Sequence, residues 1–91
     1  MKGCVYILKS EGTGKFCIGS SNNRLRRLQE HNNGEVKATK NKGPWIMVFW
    51  QEDDTLLEAR RIEYKLKKMK SKKVIEKIIS DGKILITIDG E

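Results

Sequence analysis

The chain has 91 residues and a formal net charge of +7, because 19 Lys and Arg residues outnumber 12 Asp and Glu residues. This length allows one domain with a modest core, and we expect residues 1–91 to form it. The basic excess favours a polyanionic partner, and nucleic acid is the usual one. The alternative is a basic, well-solvated surface.

Cysteine usage and hydropathy exclude several classes of protein. Cys4 and Cys17 are too few for a disulfide scaffold, and one histidine cannot complete a four-ligand zinc site with them. No segment reaches the roughly 18 apolar residues of a membrane-spanning helix, and the N-terminus lacks the pattern of a signal peptide. We therefore expect a cytoplasmic protein with reduced thiols and no membrane association.

The first predicted unit is a β-hairpin. Residues 4–9 (CVYILK) are β-branched and aromatic, residues 10–14 (SEGTG) suit a turn, and residues 15–19 (KFCIG) read as the returning strand. In a flush pairing, Leu8 faces Cys17 and Tyr6 faces Gly19, with all four on one face of the sheet. Gly19 then leaves open space beside the Tyr6 ring.

A short helix is predicted to follow the hairpin. The polar residues 20–23 (SSNN) are suitable N-caps, and Asn33-Gly34 is suited to end the helix. The spacing predicts an apolar side made of Leu25, Leu28 and Asn32. A second side, next to the first, carries Arg24, Arg27 and His31. Residues 35–43 (EVKATKNKG) then form a basic loop.

The second half of the chain predicts a strand and two helices. Pro44 can open a strand, and residues 45–50 (WIMVFW) are apolar on both faces, as in a strand buried on both sides. Residues 51–54 (QEDD) suit a helix start. The stripe of that helix is Leu56, Ala59, Ile62, Leu66 and Met69. Ser71 can cap a further helix that ends at Asp81-Gly82, and residues 84–88 (ILITI) suit a last strand or a tail.

The resulting order of elements is β-β-α-β-α-α. We therefore predict an α+β fold in which helices flank a small, mainly antiparallel three-stranded sheet. Trp45 and Trp50 are expected in the core and not at a base-stacking surface.

Glu63 is the residue that fits its predicted surroundings least well. At 100° per residue it falls inside the apolar stripe of the long helix, between Ala59 and Leu56. A carboxylate at such a position needs a compensating partner. That partner is Arg27, Arg24, a lysine or a metal ion, and the plainest alternative is a structural salt bridge at the rim of the core.

Five short motifs occur in an order that resembles the GIY-YIG endonuclease family. They are CVYIL, KFCIGSS, RLQEHN, ATKNKGPW and ARRIEYKLK. The chain looks most like the small single-domain bacterial members, which are similar to the nuclease domain of the excinuclease C subunit. The resemblance covers residues 4–68, and residues 69–91 are expected to add a C-terminal helix and a strand or tail.

The resemblance extends to single positions. The family's Gly-Ile/Val-Tyr motif is represented by residues 4–6 (CVY), and its Tyr-Ile/Val-Gly motif by residues 17–19 (CIG), where the tyrosine is missing. The helix arginine of the family matches Arg27, its following histidine matches His31, and its metal-binding glutamate matches Glu63. A late asparagine of some members has no counterpart here.

The resemblance implies hydrolysis of DNA phosphodiester bonds with Mg²⁺ or Mn²⁺, in DNA repair or recombination. Glu63 is the expected metal ligand, because Mg²⁺ typically uses one or two carboxylates and keeps several waters. Arg27 is expected to contact the scissile phosphate, and His31 to contact phosphate or transfer a proton. Tyr6 would be the general base or a link to it, and a role as base needs nearby positive charge to favour the phenolate.

Cys17 leaves three alternatives open. The enzyme tolerates the loss of the tyrosine with reduced activity, or the domain has become an inactive nucleic-acid-binding module, or this copy carries an altered residue at position 17. A catalytic thiol is the least favoured reading, because water is the family's nucleophile and Cys17 has no obvious base beside it.

Two groups of basic residues are expected to grip a DNA backbone without reading its sequence, so recognition is expected to be structure-selective or weakly sequence-specific. The group on the short helix and the loop after it is Arg24, Arg26, Arg27, Lys37, Lys40 and Lys42. The group at the end of the long helix is Lys65, Lys67, Lys68, Lys70, Lys72 and Lys73. A small RNA-binding protein also fits the charge but not the order of the motifs.

Overall fold

A computed structural model describes residues 2–84. The strands are β1 (Gly3–Ser10), β2 (Phe16–Ser21) and β3 (Trp45–Asp53), and the helices are α1 (Arg24–Asn32), α2 (Leu56–Met69) and α3 (Lys72–Asp81). A short 3-10 helix, Lys37–Thr39, lies in the predicted basic loop. The order β-β-α-β-α-α confirms the predicted α+β fold. Of the element predicted at 84–88, residues 85–88 lie outside the described residues.

The sheet is antiparallel, with strand order β2-β1-β3. Tyr6 pairs with Gly19 and Leu8 with Cys17, which confirms the predicted register of the hairpin. β1 is the central strand, and its side chains are buried on both faces. Val5 and Ile7 are fully buried on one face and Tyr6 and Leu8 on the other.

Helices cover both faces of the sheet and make a three-layer arrangement. On one face, Val5, Ile7, Ile18 and Phe49 pack against Ile62, Leu66 and Ile78 from α2 and α3. On the other face, Cys4, Tyr6, Leu8 and Trp45 form a second cluster, against which Leu28 of α1 packs. We refer to these as the α2 face and the α1 face. The functional residues predicted from the sequence are carried by elements of both layers.

β3 corrects one expectation, because it is an edge strand and is not buried on both sides. Its side chains Ile46 and Trp50 are exposed, Trp50 by 47 %. Ile7 pairs with Phe49 and Leu8 with Met47, so Val48 is the extra residue of a β-bulge. Trp45 is buried as predicted, whereas the core position predicted for Trp50 is wrong.

The helix caps follow the sequence closely. Asn23, Thr55 and Ser71 are the N-caps of α1, α2 and α3, and each side chain accepts a hydrogen bond from a backbone N–H of the first turn. Gly82 ends α3 with a φ of 74°, a conformation that glycine adopts without strain. No helix within residues 2–84 is long and apolar enough to cross a membrane.

Two predicted helix faces need correction. In α1, Leu25 is 65 % exposed, and the side toward the sheet carries Leu28 and His31 instead. The rotation of α1 about its axis is set by polar contacts and not by apolar packing. The Asn32 side chain exchanges two hydrogen bonds with the backbone of Trp45. In α2, Ala59, Ile62 and Leu66 are buried as predicted, but Met69 in the last turn is exposed.

Candidate active site

Tyr6 lies at the centre of the site, on the α1 face of β1. Its side chain is 1 % exposed and its ring crosses directly over Gly19 of β2. A methyl group on residue 19 would come within 2.5 Å of Tyr6 Cζ and would collide with the hydroxyl as well. Glycine at this position therefore allows the phenol to reach the edge of the sheet.

A chain of hydrogen bonds runs from Tyr6 into the loop after α1. The Tyr6 hydroxyl lies 3.0 Å from His31 Nε2, and His31 Nδ1 lies 2.8 Å from Thr39 Oγ1. His31 is 5 % exposed, and Thr39 is buried too. The Thr39 hydroxyl in turn donates to the Val36 carbonyl at 3.4 Å. His31 is thus oriented through both of its ring nitrogens.

The direction of these hydrogen bonds follows from the neutral state of His31 and from the Thr39 hydroxyl, which donates to Val36 and is left to accept from Nδ1. Burial, with a smaller contribution from Arg27, lowers the pKa of His31 below its ordinary value of 6.5, so the ring is neutral at pH 7. We assign the proton to Nδ1, which donates to Thr39, and leave Nε2 to accept from the Tyr6 hydroxyl. Thr39 was not among the residues predicted from the sequence, because no periodicity connects this loop residue with the helix before it.

Tyr6 is a neutral phenol at physiological pH. Burial raises the pKa of Tyr6 to about 12, and the positive charge of Arg27 opposes this rise only in part. The expected effect of Arg27 on the phenolate is therefore present but is outweighed by burial. A standing phenolate is excluded as the resting state, so Tyr6 is better suited to pass a proton on than to hold a negative charge.

Arg27 reaches the site from α1. Its interaction with the Tyr6 hydroxyl lowers the pKa of that phenol, and its Nη1 donates to Glu30 Oε1 at 2.9 Å. The pair with Glu30 raises the pKa of Arg27 and lowers that of Glu30. Glu30, in the same helix, therefore holds the guanidinium in place beside Tyr6. The remaining N–H groups of Arg27 can then bind a phosphate.

Glu63 comes to the same edge of β2 from α2, on the opposite face of the sheet. Its side chain is 20 % exposed and its Oε2 pairs with Lys67 Nζ at 2.7 Å. Its Oε1 accepts a hydrogen bond from the Ser20 hydroxyl. The compensating partner expected from the sequence is therefore a lysine, Lys67, helped by Ser20. The negative charge of Glu63 contributes to the raised pKa of Tyr6, which places the carboxylate in the same electrostatic environment.

Cys17 lies two residues before Gly19, on the same strand and the same face. Burial raises the pKa of the Cys17 thiol, Lys67 and Arg27 lower it, and Glu63 raises it further. The net direction is upward, so the thiol is protonated at neutral pH. A protonated, half-buried thiol is a poor nucleophile. This agrees with the low weight given to a catalytic thiol on the basis of the sequence.

The donor set can be tested for its fit to a metal ion. Within residues 2–84, no three His, Cys, Asp or Glu side chains come together as a metal cage. Glu63 is a single carboxylate with two oxygens and about four acceptor positions, of which Ser20 and Lys67 use two. Mg²⁺ commonly binds to one or two carboxylates and fills its other positions with water and substrate. The residues present therefore fit Mg²⁺ or Mn²⁺ and not a fully protein-ligated metal.

The basic residues predicted for DNA binding fall into two places. The guanidinium of Arg24 stacks on the exposed Trp50 ring at 3.7 Å, and Arg26 pairs with Glu30 at 3.4 Å. Lys37, Lys40 and Lys42 are exposed near the other end of α1. The structure thus separates Arg24 from the three loop lysines, while it brings Lys42 close to Lys67 in one cavity.

Comparison with known proteins decides the family. The GIY-YIG catalytic domain matches residues 2–77 of the chain. The chain belongs to the GIY-YIG family. This family comprises endonucleases.

The relatives of this GIY-YIG protein include small bacterial proteins. A UPF0213 protein of Vibrio parahaemolyticus is 34 % identical over 87 residues, which cover 93 % of this chain and 78 % of that protein. A UPF0213 protein of Staphylococcus saprophyticus is 34 % identical over 79 residues, covering 86 % and 94 %. The solution NMR structure of a UPF0213 protein from Bacillus halodurans superposes with a TM-score of 0.55 at 31 % identity, covering 88 % of this chain and 84 % of that one.

A eukaryotic relative is named for its activity. The structure-specific endonuclease subunit SLX1 homolog of Giardia intestinalis is 35 % identical over 65 residues. The match covers 67 % of this GIY-YIG chain but 18 % of that longer protein. The two proteins therefore share the GIY-YIG domain, and most of the Giardia protein lies outside the comparison.

The stability of the fold should fall as the pH is lowered through the range in which His31 titrates. The unfolded chain takes up a proton on His31 near pH 6.5, whereas the folded chain does so only at lower pH. Acid therefore favours unfolding, and we expect the urea midpoint to fall between about pH 7 and about pH 5. Because His31 is the only histidine, a His31→Gln variant should lose most of this slope. An unchanged slope in that variant would contradict the assignment.

Proposed function

We propose that this protein is a metal-dependent DNA endonuclease that hydrolyses phosphodiester bonds, with structure-selective or weakly sequence-specific recognition, in DNA repair or recombination. Family membership supports the nuclease activity, and the Giardia relative supports structure selectivity. One observation carries the proposal for this chain. The Tyr6 hydroxyl lies 3.0 Å from His31 Nε2, and the charges of both Arg27 and Glu63 act on the pKa of Tyr6, although Arg27 and Glu63 come from opposite layers.

In the proposed mechanism, Tyr6 connects the attacking water to His31. The water gives a proton to the Tyr6 oxygen while the Tyr6 hydroxyl proton moves to His31 Nε2, 3.0 Å away. Tyr6 is then neutral before and after the step, so its pKa of about 12 is no obstacle. Thr39, which accepts from His31 Nδ1, stabilises the imidazolium that forms.

Arg27 supplies positive charge for the phosphate. Its guanidinium, held by Glu30 at 2.9 Å, has donors left for two phosphate oxygens. It therefore opposes the negative charge that develops as the water attacks. Because Arg27 is already anchored before the substrate arrives, little reorganisation is needed at the moment of reaction.

Glu63 is the proposed ligand of Mg²⁺ or Mn²⁺. When bound, the ion supplies Lewis-acid stabilisation of the phosphate and of the leaving oxygen. Ser20 orients the carboxylate, and Lys67 balances its charge from the adjacent turn of α2. Both partners thereby compensate the partial desolvation of the Glu63 side chain.

The position of Cys17 favours a second candidate function, a weakened or inactive nucleic-acid-binding module. The thiol is neutral, is shorter than a tyrosine and borders a cavity. A hydroxyl that the family places on this strand is therefore absent from this chain. The two candidates make different predictions for one pair of proteins.

The test compares the wild type with Cys17→Tyr on supercoiled plasmid and on branched DNA, with Mg²⁺, with Mn²⁺ and with a chelator. We expect slow, metal-dependent nicking by the wild type. We expect a gain of about tenfold or more in Cys17→Tyr, because one donor to a developing charge is worth up to about 10²–10³ in rate. The cavity beside Cys17 has room for the phenol.

Cys17→Phe is the matched control, because it adds the ring without the hydroxyl and should bring no gain. If Cys17→Tyr nicks DNA and the wild type does not, the result favours the weakened or inactive nucleic-acid-binding module. If neither protein cuts either substrate over a range of metals, the endonuclease function is wrong.

A further inference from the structure

A cavity of about 780 Å³ follows the outer edge of β2 away from the catalytic residues. Its walls are the turn between β1 and β2, the loop with the 3-10 helix, and the junction of α2 and α3. Cys17, Thr39 and Lys67 belong both to this cavity and to the candidate active site. We call it the edge groove, and the mechanism above uses only its inner end.

The edge groove has an apolar floor and a basic rim. Phe16, Ile18 and Ile75 contribute to the floor, and all of them also pack against the core on the α2 face. The rim beyond Lys67 consists of Lys15, Lys42, Lys70 and Lys72. Among the described residues that line the groove there is no Asp or Glu. Its charge is therefore complementary to a polyanion along its whole length.

Phe16 is the aromatic residue of the floor. It is half-buried, and the Lys9 and Lys72 ammonium groups lie 5.8 Å and 6.0 Å from the centre of its ring. An aromatic face beside two cations matches what a nucleotide offers, since a base can stack on the ring while its phosphate pairs with a lysine. The volume also lies within the range of about 300–1,000 Å³ that is usual for small-molecule sites, so a nucleotide fits.

We infer that the edge groove binds an unpaired strand of the DNA substrate, with a base against Phe16 and phosphates on the rim lysines. A duplex matches the groove poorly, because its bases are stacked inside and cannot reach an apolar floor. The inference rests on the proposed function and adds the class of substrate. Because the groove opens at Cys17 and Thr39, the strand enters it directly from the scissile phosphate. Cleavage is therefore directed to junctions between paired and unpaired DNA.

Binding is measured with the full chain carrying Glu63→Gln, so that the DNA stays intact. The probes are a fluorescein-labelled oligothymidylate and a labelled duplex of the same length, followed by anisotropy. Phe16→Leu keeps the apolar packing but removes the ring. It should weaken oligothymidylate binding about tenfold, in line with the usual value of one stacked base, and should change duplex binding less than about twofold. Phe16→Trp should retain oligothymidylate binding.

The rim is tested by charge-matched pairs of substitutions. Lys15→Gln with Lys72→Gln should weaken oligothymidylate binding and reduce the slope of log Kd against log salt by roughly 1.4, as two lost phosphate contacts predict. Lys77→Gln with Lys83→Gln removes the same charge from exposed positions that do not line the groove, and should change the slope little. Polyglutamate should compete poorly with the oligothymidylate.

Three outcomes would overturn the inference. They are an unchanged affinity of Phe16→Leu for oligothymidylate, equal losses in the two lysine pairs, and displacement by polyglutamate as effective as by the oligonucleotide. None of these readouts depends on cleavage. If the variants change oligothymidylate binding as expected but the wild type nicks no DNA, strand binding in the edge groove is supported and the proposed endonuclease function is wrong. If the wild type nicks DNA and the groove variants bind normally, the groove is wrong.

Discussion

Glu63→Gln should abolish cleavage and leave the fold and the affinity for DNA intact. The amide keeps the size of the side chain and can still accept from the Ser20 hydroxyl. It removes the anion that is proposed to hold the metal, so we expect a loss of about 10³-fold or more in cleavage rate. The pair with Lys67 is also lost, but Lys67 is 56 % exposed. Such a pair contributes less than about 1 kcal/mol to stability.

The measurement is single-turnover nicking of the best substrate, together with urea unfolding and DNA binding by anisotropy. Glu76→Gln is the matched control, because it makes the same charge change on the exposed side of α3 and should cut like the wild type. Retention of cleavage within about tenfold by Glu63→Gln would show that the carboxylate is not a catalytic ligand.

Gly19→Ala should reduce both stability and activity. Alanine normally suits a strand better than glycine, by about 0.5–1 kcal/mol. Here its methyl group would overlap the Tyr6 ring, 2.5 Å from Cζ. Because that ring is fully buried, the clash has to be relieved by moving Tyr6, and overpacking of this kind costs about 1–3 kcal/mol. Displacement of Tyr6 also breaks its hydrogen bond to His31, so we expect a loss of about 10²-fold or more in cleavage.

A double-mutant cycle isolates the cause. In a Tyr6→Leu background the ring is absent, so the alanine should cost less than about 0.5 kcal/mol in urea unfolding. Additive losses in the double variant would mean that Gly19 acts through the backbone of β2 and not through the ring. The cycle needs stability alone, so it remains informative if both single variants are inactive.

Local chemistry made much of this structure predictable. The hairpin register followed from two strands of matching length around a short turn, with Gly19 opposite Tyr6. The N-caps of α1 and α3 were predictable from Asn23 and Ser71, because a short polar side chain before a helix can accept a hydrogen bond from a backbone N–H of the first turn. Glu63 drew attention because a charge interrupted an apolar stripe, and the structure places it beside Lys67 at the site.

Long-range order was harder to predict. β1 and β3 carry similar apolar runs, so the local pattern does not say which strand is central, and Trp50 was expected in the core for that reason. The rotation of α1 is set by the hydrogen bonds between Asn32 and the backbone of Trp45, which no spacing within the helix reveals. Thr39 was hidden for a similar reason, because its partner His31 lies across a loop.

The single extra residue in β3 has a consequence for how this chain can change in length. Trp45 and Trp50 are an odd number of residues apart, so an unbroken strand would send them to opposite sides, yet their partners Ser10 and Tyr6 lie on the same side. Deleting Val48 would remove the bulge and restore regular alternation, with Met47 still opposite Leu8 and Phe49 still opposite Ile7. Trp50 would keep its place beside Arg24, and Phe49 would stay in the core. Loss of this one residue should therefore be tolerated, whereas a single insertion elsewhere in the strand would need a second bulge to keep the downstream side chains on their present sides.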